Sequence, residues 1–278
     1  MNRRAIVGVA LAVVLVLAAG LALVARPRGA DPISQREALA SFREKQSTSV
    51  PAAGTGAARS RGSGSGSASV PGPGVYSYDT SGEEAVKLGP LPEEVRPYHD
   101  LTTAEVTTMP SVEGDPACFA FALNLLEQHT EDFVFCRTAS GGLRLESYAK
   151  HQSVAQFNPT VNISCDPGTL TEPEEESLSL ECTLVLDGGP MEISTEFSGT
   201  ARSSGPETLL VGAEEVEVLP IDIHFDLDGS VSGTWDEHLW IQTGTALPVR
   251  LGRDFHLDGF VGFDEVSSLQ LNSTAPQR

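Results

Sequence analysis

The chain has 278 residues, of which 38 are acidic and 18 are basic. Residues 1–74 hold nine basic and three acidic residues, a net charge of +6, whereas the remaining 204 residues hold nine basic and 35 acidic ones, a net charge of −26. A domain this acidic is repelled by nucleic acids and by anionic lipid headgroups, because binding to phosphate needs clustered Lys and Arg. Nucleic acid is therefore excluded as a partner. The acidity is expected to serve solubility, with recognition of a cationic partner as the alternative.

The first 28 residues have the composition of a membrane anchor. Arg3 and Arg4 precede an uninterrupted apolar run, residues 5–25, and Arg26–Arg28 follow it. At about 1.5 Å per residue this run makes a helix about 30 Å long, which matches the hydrocarbon thickness of a bilayer. We therefore expect a single-pass anchor in the cell membrane, with a cytoplasmic N-terminus and the C-terminal domain outside. A cleaved signal peptide is the alternative, although Leu23 is bulky for the residues that precede a cleavage site.

Residues 29–74 are expected to connect this anchor to a folded domain. The apolar spacing predicts a short juxtamembrane helix from Ile33 to Gln46, with Ala38, Leu39 and Phe42 on one face. Ser, Gly, Ala and Pro then dominate as far as Gly74. Such a composition cannot bury a core, so we predict a flexible tether with a typical span of about 30 Å.

Residues 75–278 show apolar side chains at every second position, the period of a β-strand. Apolar and polar residues alternate in residues 221–228, and the same alternation appears in residues 178–186. Turn-forming Asp-Gly and Gly-Gly pairs separate these stretches. We predict one acidic, all-β domain with about ten antiparallel strands. Residues 117–126 also fit the face of a helix, but the alternation that begins at Phe119 favours a strand.

All four cysteines fall in this exported domain, where an even number favours disulfide bonds. They are Cys118, Cys136, Cys165 and Cys182. Each successive pair flanks a polar, turn-like stretch, so two adjacent strands would bring the sulfur atoms together. We predict the pairings 118 to 136 and 165 to 182. A metal site would instead need close Cys pairs and histidines at fixed offsets, which the sequence does not contain.

Two segments resemble the lipoprotein-carrier (LolA-like) family of envelope proteins. Residues 74–82 are similar to the opening strand of that family, and residues 239–250, LWIQTGTALPVR, are similar to its strand, turn and following strand. The start at residues 75–84 is also similar to that of membrane-anchored envelope proteins of high-GC Gram-positive bacteria that carry a Ser/Gly/Pro tether. The resemblance implies a curved antiparallel sheet or half-barrel that shelters acyl chains.

The sequence contains no recognised arrangement of catalytic residues. The H-E-x-x-H and G-x-S-x-G motifs are absent, and Ser147 and Lys150 match S-x-x-K without the elements that accompany it in penicillin-interacting enzymes. The strand with Asp222, His224 and Asp226 offers oxygen ligands, but on an extended strand they spread too far to hold one ion. We therefore expect no catalytic residues, no metal and no cofactor.

Four aromatic side chains are the candidates for contact with a ligand. They are Tyr76, Tyr78, Trp235 and Trp240. Tyr76 and Tyr78 share one face of a strand and could form the floor of a pocket, although such pairs are more often ordinary core. The expected function is a non-enzymatic, membrane-tethered domain that binds a lipid or another hydrophobic envelope ligand. The alternatives are a protein-interaction module without a cavity and, third, a hydrolase with a His or carboxylate pair in a cleft.

Overall fold

The computed structural model describes residues 31–48, 69–109, 117–154, 156–188, 193–228 and 231–278. The predicted anchor at residues 1–28 and most of the predicted tether lie outside these described residues. Within the described residues, no helix is both long and apolar enough to cross a membrane.

The described chain is almost entirely β-structure, which confirms the predicted fold class. Fifteen strands are present in the described residues, rather than about ten, and residues 118–126 form a strand as predicted. The strands are β1 (Gly74–Leu88), β2 (Glu94–Pro97), β3 (Leu101–Thr108), β4 (Cys118–Leu126), β5 (His129–Arg137), β6 (Leu143–Gln152), β7 (Thr160–Cys165), β8 (Thr169–Thr171), β9 (Ser177–Asp187), β10 (Ile193–Ser203), β11 (Glu207–Val211), β12 (Glu214–Leu227), β13 (Ser232–Gln242), β14 (Pro248–Asp258) and β15 (Val261–Leu271).

Twelve of these strands close into an antiparallel barrel. Their order around the barrel is β1, β3, β4, β5, β6, β7, β9, β10, β12, β13, β14 and β15, and β15 returns to β1. Closure depends on β10, which pairs with β9 on one side and with residues 221–226 of β12 on the other. The expected open half-barrel is therefore wrong: strand alternation predicts which face is apolar, but it does not predict whether the two ends of a sheet meet.

Three short strands lie outside the closed ring: β2 pairs with β1, β8 pairs with β6, and β11 pairs with β12.

At Gly82, β1 passes so close to β15 that a Cβ atom would lie 2.0 Å from the carbonyl oxygen of Val266. Its φ of 120° is also one that other residues rarely adopt. Gly82 lies between the part of β1 that pairs with β3 and the part that pairs with β2, so it allows this change of partner.

Side chains alternate between the barrel interior and the outer face, as the period of two requires. An eight-stranded barrel is just wide enough for its side chains to fill, so twelve strands enclose a wider interior. Large side chains fill most of it at the end of the barrel where β1 begins and β15 ends. The largest of those that are fully buried include Tyr76, Tyr78, Phe119, Phe121, Phe135, Leu180 and Ile221.

The described residues contain one helix, α1 (Gln35–Thr48), which packs on the outside of the barrel against β1 and β3. Ser34 and Glu37 form a capping box at its start, with the Ser34 backbone N–H donating to the Glu37 carboxylate at 2.9 Å. Ala38 and Phe42 are buried against Val75. The short helix was thus predicted correctly, and its apolar face packs on the barrel.

Both predicted disulfides are confirmed. Cys118 faces Cys136 across the β4–β5 pair, and Cys165 faces Cys182 across the β7–β9 pair, with Cα atoms 4.1 and 4.0 Å apart. The first pair joins neighbouring strands of a hairpin. The second joins strands that are separated in the chain by β8, so a symmetric turn is not required for the pairing.

Loss of either disulfide should cost about the same stability. The two bonds close loops of nearly equal length, 18 and 17 residues apart in sequence, and loops of this size contribute about 3 kcal/mol to the free energy of unfolding. We expect Cys118→Ala with Cys136→Ala, and separately Cys165→Ala with Cys182→Ala, each to lower it by about that amount in urea titrations. A loss below about 1 kcal/mol for both double variants would contradict this prediction.

Candidate functional site

The interior of the barrel contains a cluster of charged side chains. Six of the closed-ring strands each place one or two charged residues on a mainly apolar inner face, and β2 adds one more. The charged members, all buried, are Glu84, Arg96, His129, Glu131, Lys150, Glu237, Arg253 and Glu265. We call these eight residues the ionic network.

Arg253 joins opposite walls of the barrel. Its guanidinium donates to both carboxylate oxygens of Glu131 on β5, at 2.5 and 3.0 Å. It also donates to Glu237 on the neighbouring β13, at 2.6 and 3.2 Å, and lies 3.2 Å from Glu265 on β15. Burial alone lowers the pKa of Arg253, but these three carboxylates raise it well above its usual value.

Lys150 makes a second connection across the interior. Its Nζ donates to Glu265 at 2.6 Å and lies 3.4 Å from Glu131. The same ammonium is 3.9 Å from the ring centroid of Phe263 and 5.6 Å from that of Phe255. Because desolvated contacts between an ammonium and an aromatic ring are favourable, the rings help to hold the buried charge.

His129 lies between two carboxylates. Its Nδ1 is 2.6 Å from Glu84 and its Nε2 is 2.9 Å from Glu131, so both ring nitrogens face an acceptor. A neutral imidazole has only one N–H, and this geometry therefore favours the imidazolium. Burial and nearby Lys150 oppose the charge, but the two carboxylates raise the pKa of His129 above its usual value.

Glu84 and Arg96 extend the ionic network to β1 and β2. Arg96 donates to Glu84 at 3.2 Å and to the backbone oxygen of Ser153 at 2.7 Å, and the Gln152 amide donates to Glu84 at 2.9 Å. Burial raises the pKa of Glu84, but the charges of His129 and Lys150 and the hydrogen bonds outweigh it and bring the pKa to about 2. Glu84 is therefore a carboxylate at neutral pH.

Two tyrosines and a tryptophan donate to the carboxylates. Tyr148 donates to Glu131 at 3.0 Å, Tyr98 lies 3.4 Å from Glu84, and Trp235 Nε1 donates to Glu237 at 3.0 Å. Burial raises the pKa of both tyrosines well above the usual value, so both remain neutral donors. Burial also raises the pKa of Glu237, but N–H donors meet both of its oxygens and favour the carboxylate.

An apolar cavity of about 70 Å³ lies next to the ionic network. It occupies the end of the barrel where β1, β6, β9 and β14 end and β7, β10 and β15 begin. Its wall is apolar and partly aromatic, with Val86, Trp235, Phe255 and Phe263 among the lining residues. The Lys150 and Gln152 side chains, which belong to or contact the network, also line it. These two side chains contribute no polar surface to the cavity, so its wall is apolar throughout.

One group of the network has the composition of a metal site. His129, Glu131 and Glu265 place one ligand atom each within 4.8 Å of one another, the one such group in the described part of the chain. However, the Lys150 ammonium and the Arg253 guanidinium already occupy the carboxylate oxygens at 2.5 to 3.4 Å. Because these fixed cations neutralise the oxygens that a metal ion needs, the donor set suits ion pairing rather than metal coordination.

The structure separates the four aromatic residues proposed from the sequence. Trp235 lines the cavity, whereas Trp240 is on the outer face, where it donates to Glu207 at 2.7 Å. Tyr76 and Tyr78 share the inner face, as expected, but lie in the packed end of the barrel. Their hydroxyls donate to the backbone oxygens of Gly72 and Pro248.

Other patterns noted in the sequence do not form sites. Ser147 is exposed and Lys150 is buried, so the S-x-x-K match does not bring the two side chains together. Asp222 and His224 lie on the outer face, where they pair with His238 at 2.6 Å and Asp236 at 2.7 Å across β12 and β13. This face is solvated, as predicted.

Comparison with known proteins gives no further assignment: no protein family, no curated protein and no solved structure matches the chain. The candidate site is therefore interpreted from its own geometry. The resemblance to the lipoprotein-carrier family stays a prediction from the sequence.

The sequence contains a signal for the ionic network that its motifs do not reveal. In β5, His129 and Glu131 occupy the same alternating face as Phe133 and Phe135. Glu237 in β13 and Arg253 in β14 likewise interrupt apolar faces. A charged residue on the apolar face of several strands is unusual, because burial of a charge is costly unless it is paired.

Removal of the Glu131 charge should destabilise the barrel strongly. Glu131→Gln keeps the shape but leaves Arg253, Lys150 and His129 without their shared carboxylate, and loss of one partner of a buried ion pair costs about 3 to 5 kcal/mol. Asp132→Asn is the matched control, because Asp132 is exposed and its pair with His151 should contribute less than about 1 kcal/mol. Urea unfolding of both variants measures the difference, and equal losses would contradict a stabilising network.

His129 should make the barrel less stable at alkaline pH. A group whose pKa is higher in the folded state than in the unfolded state stabilises the folded state at pH values below the unfolded pKa, which is 6.5 for histidine. This contribution is lost as the pH rises through the folded pKa. We expect the free energy of unfolding of the full chain to fall as pH rises above 6.5, and His129→Gln to remove this part of the decline. A pH profile that is the same in both proteins would contradict a charged His129.

Proposed function

We propose that this chain is a non-enzymatic extracytoplasmic domain that binds a small, mainly apolar ligand inside its barrel. The observation that carries the proposal is the cavity, which has an apolar and aromatic wall and lies inside the barrel next to the ionic network. Ligand pockets are commonly concave and mainly apolar. The two disulfides support a location in an oxidising compartment.

The cavity favours a ligand smaller than a membrane lipid. Drug-sized ligands occupy pockets of about 300 to 1,000 Å³, whereas the cavity measures about 70 Å³. A closed barrel also lacks the open concave face on which a half-barrel shelters acyl chains. We therefore propose a single short apolar group as the ligand. The tether to the cell membrane, through residues 5–25, stays part of the proposal on the strength of the sequence.

The alternative function, a protein-interaction module, has less support. Such a module would use a free sheet edge or an exposed apolar patch. Closure of the barrel pairs most of both edges of its twelve strands, and within the described residues the unpaired edges include those of the short strands β2, β8 and β11 and of residues 193–197 of β10. Exposed large apolar residues on these strands include Val95 and Leu210. No feature of these short edges indicates the chemistry of a partner.

Ligand binding can be tested with 1-bromopropane, a probe short enough for the cavity, because bromine quenches the fluorescence of a nearby indole. The chain contains two tryptophans, so Trp240→Phe leaves Trp235, in the cavity wall, as the single reporter. Val86→Phe fills the cavity, and Val266→Phe places the same change on the exposed outer face of the adjacent strand. In the full chain in mild detergent, we expect Val86→Phe to weaken binding at least about tenfold and Val266→Phe to leave it unchanged.

The detergent affects both variants equally, so the comparison isolates the cavity. Circular dichroism should first show that both variants remain folded, because an extra ring in a packed interior costs about 1 to 3 kcal/mol. Equal quenching in the two variants, or no saturable quenching in the parent chain, would overturn the proposal.

A further inference from the structure

Helix α1 is held on the barrel wall by contacts along its length. In its middle, Phe42 is buried together with Val75 of β1. Nearer its end, the Lys45 ammonium lies 2.8 Å from the Glu105 carboxylate, which is buried on the outer face of β3. The helix is therefore part of the folded domain rather than a spacer in front of it.

The chain that leads into α1 is attached at the cavity end of the barrel. The backbone oxygen of Asp31 accepts a hydrogen bond from the backbone N–H of Glu127 at 2.9 Å, and its N–H donates to the Gln128 side chain at 3.4 Å. Residues 127 and 128 form the turn between β4 and β5. The backbone oxygen of Gln128 also accepts from Ser153, which directly follows the cavity-lining Gln152. Asp31 is thus fixed at the same end of the barrel as the cavity.

A short stretch of chain separates Asp31 from the apolar run that is proposed as the membrane anchor. That run ends at Ala25, and residues 26–30 follow it. Even a fully extended chain spans at most about 20 Å from Ala25 to Asp31. If the anchor lies in the bilayer, the cavity end of the barrel is therefore within about 20 Å of the hydrocarbon boundary.

The Ser/Gly/Pro-rich stretch does not add to this distance. Residues 49–68 follow α1 and precede β1, and both of these elements are held on the barrel. A tether lets a domain move away from its anchor when it lies between the two. The predicted tether lies instead between two fixed parts of the same domain, so its length does not set the separation of barrel and membrane.

The cavity end also carries exposed apolar side chains. Of the seven large apolar side chains that are exposed in the described residues, four lie at this end: Leu91 in the β1–β2 turn, Val95 in β2, Leu101 at the start of β3 and Phe260 in the β14–β15 turn. The two turns touch, because the N–H of Gly89 donates to the backbone oxygen of Phe260 at 2.7 Å. Exposed apolar side chains grouped at one end of a domain favour contact with another surface, such as a membrane.

We infer that α1 holds the barrel against the outer surface of the cell membrane, with the cavity end toward the lipid. The short connection to the anchor, the attachment of Asp31 and the exposed apolar side chains all point to this end. An acidic domain does not approach anionic lipid by attraction, so the anchor must hold it there. The inference rests on the proposed membrane anchor, and it places the cavity on the side from which an apolar compound dissolved in the bilayer would arrive.

Energy transfer to labelled lipid headgroups tests this orientation. The four native cysteines are disulfide-bonded, so one introduced cysteine can carry the donor fluorophore. Glu93→Cys places it at the cavity end and Ser204→Cys at the opposite end, both at exposed positions. The full chain is reconstituted in phosphatidylcholine vesicles that carry an acceptor on some headgroups. An eleven-residue strand such as β10 makes the barrel about 28 Å tall, so we expect at least about twofold higher transfer from Glu93→Cys.

Flotation of the vesicles separates two kinds of failure. A chain that does not float with the lipid overturns the anchor and, with it, this inference, whereas ligand binding is tested independently by 1-bromopropane. A chain that floats but shows equal transfer from both ends, or more from Ser204→Cys, overturns the inference alone.

Insertion of a spacer on either side of α1 tests the role of the helix. About twenty Gly and Ser residues between Ala30 and Asp31 add a typical span of about 25 Å and should bring the ratio of the two transfer efficiencies close to one. The same insertion after Gly64 should leave the ratio unchanged, because it lies beyond α1 in the chain. A ratio that stays high after the first insertion, or falls after the second, would contradict a barrel held through α1.

Detachment of α1 should have the same effect as the first insertion. Phe42→Glu puts a charge into the buried contact with Val75, whereas Ala40→Glu puts the same charge on the exposed face of the helix. We expect a transfer ratio close to one in Phe42→Glu and the parent ratio in Ala40→Glu, with the β-sheet circular dichroism of the parent in both. Equal ratios in the two folded variants would overturn the role of α1, and the insertions decide the question if Phe42→Glu does not fold.

Discussion

The interior of this barrel is organised around the ion pair between Arg253 and Glu131. These residues lie on β14 and β5, opposite walls of a ring of twelve strands, and are joined by two hydrogen bonds of 2.5 and 3.0 Å. A ring of this size is too wide for short apolar side chains to meet across it. Long charged side chains bridge the gap instead, and each must find a counter-ion because water is excluded.

This arrangement also fixes the register of the strands. A slip by one residue would move every inward side chain of a strand to the outer face. In β5 such a slip would expose Glu131 and bring Asp132 inside, away from the position that Arg253 requires. A buried ion pair does not guarantee stability compared with apolar packing. Its value here is better described as specificity, because one register alone satisfies all eight charges.

The cavity is a consequence of the same arrangement. At the end of the barrel where β1 begins and β15 ends, large aromatic and aliphatic side chains fill the interior. At the opposite end the network occupies one side, and the remaining apolar side chains leave about 70 Å³ unfilled. Lys150 belongs to both regions, because its side chain lines the apolar cavity while its ammonium pairs with Glu265. A single side chain therefore joins the cavity wall to the ionic network.

Local patterns in the sequence determined the all-β class, the short helix, the two disulfides and the solvated outer face of β12. Each of these depends on side chains that are near in sequence or that repeat with a fixed period. The alternation in β5 even places His129 and Glu131 on the inner face, so the presence of buried charges could have been predicted.

Only the tertiary structure decided that β10 meets β12 and that Glu131 meets Arg253. These contacts join residues that are distant in the chain, and alternation contains no information on which strands become neighbours or at what register. Closure changed a half-barrel with an open face into a ring with a small cavity. It also placed Trp235 at that cavity and Tyr76 and Tyr78 in the packed core, because the position of a residue along the barrel axis depends on the pairing of all the strands.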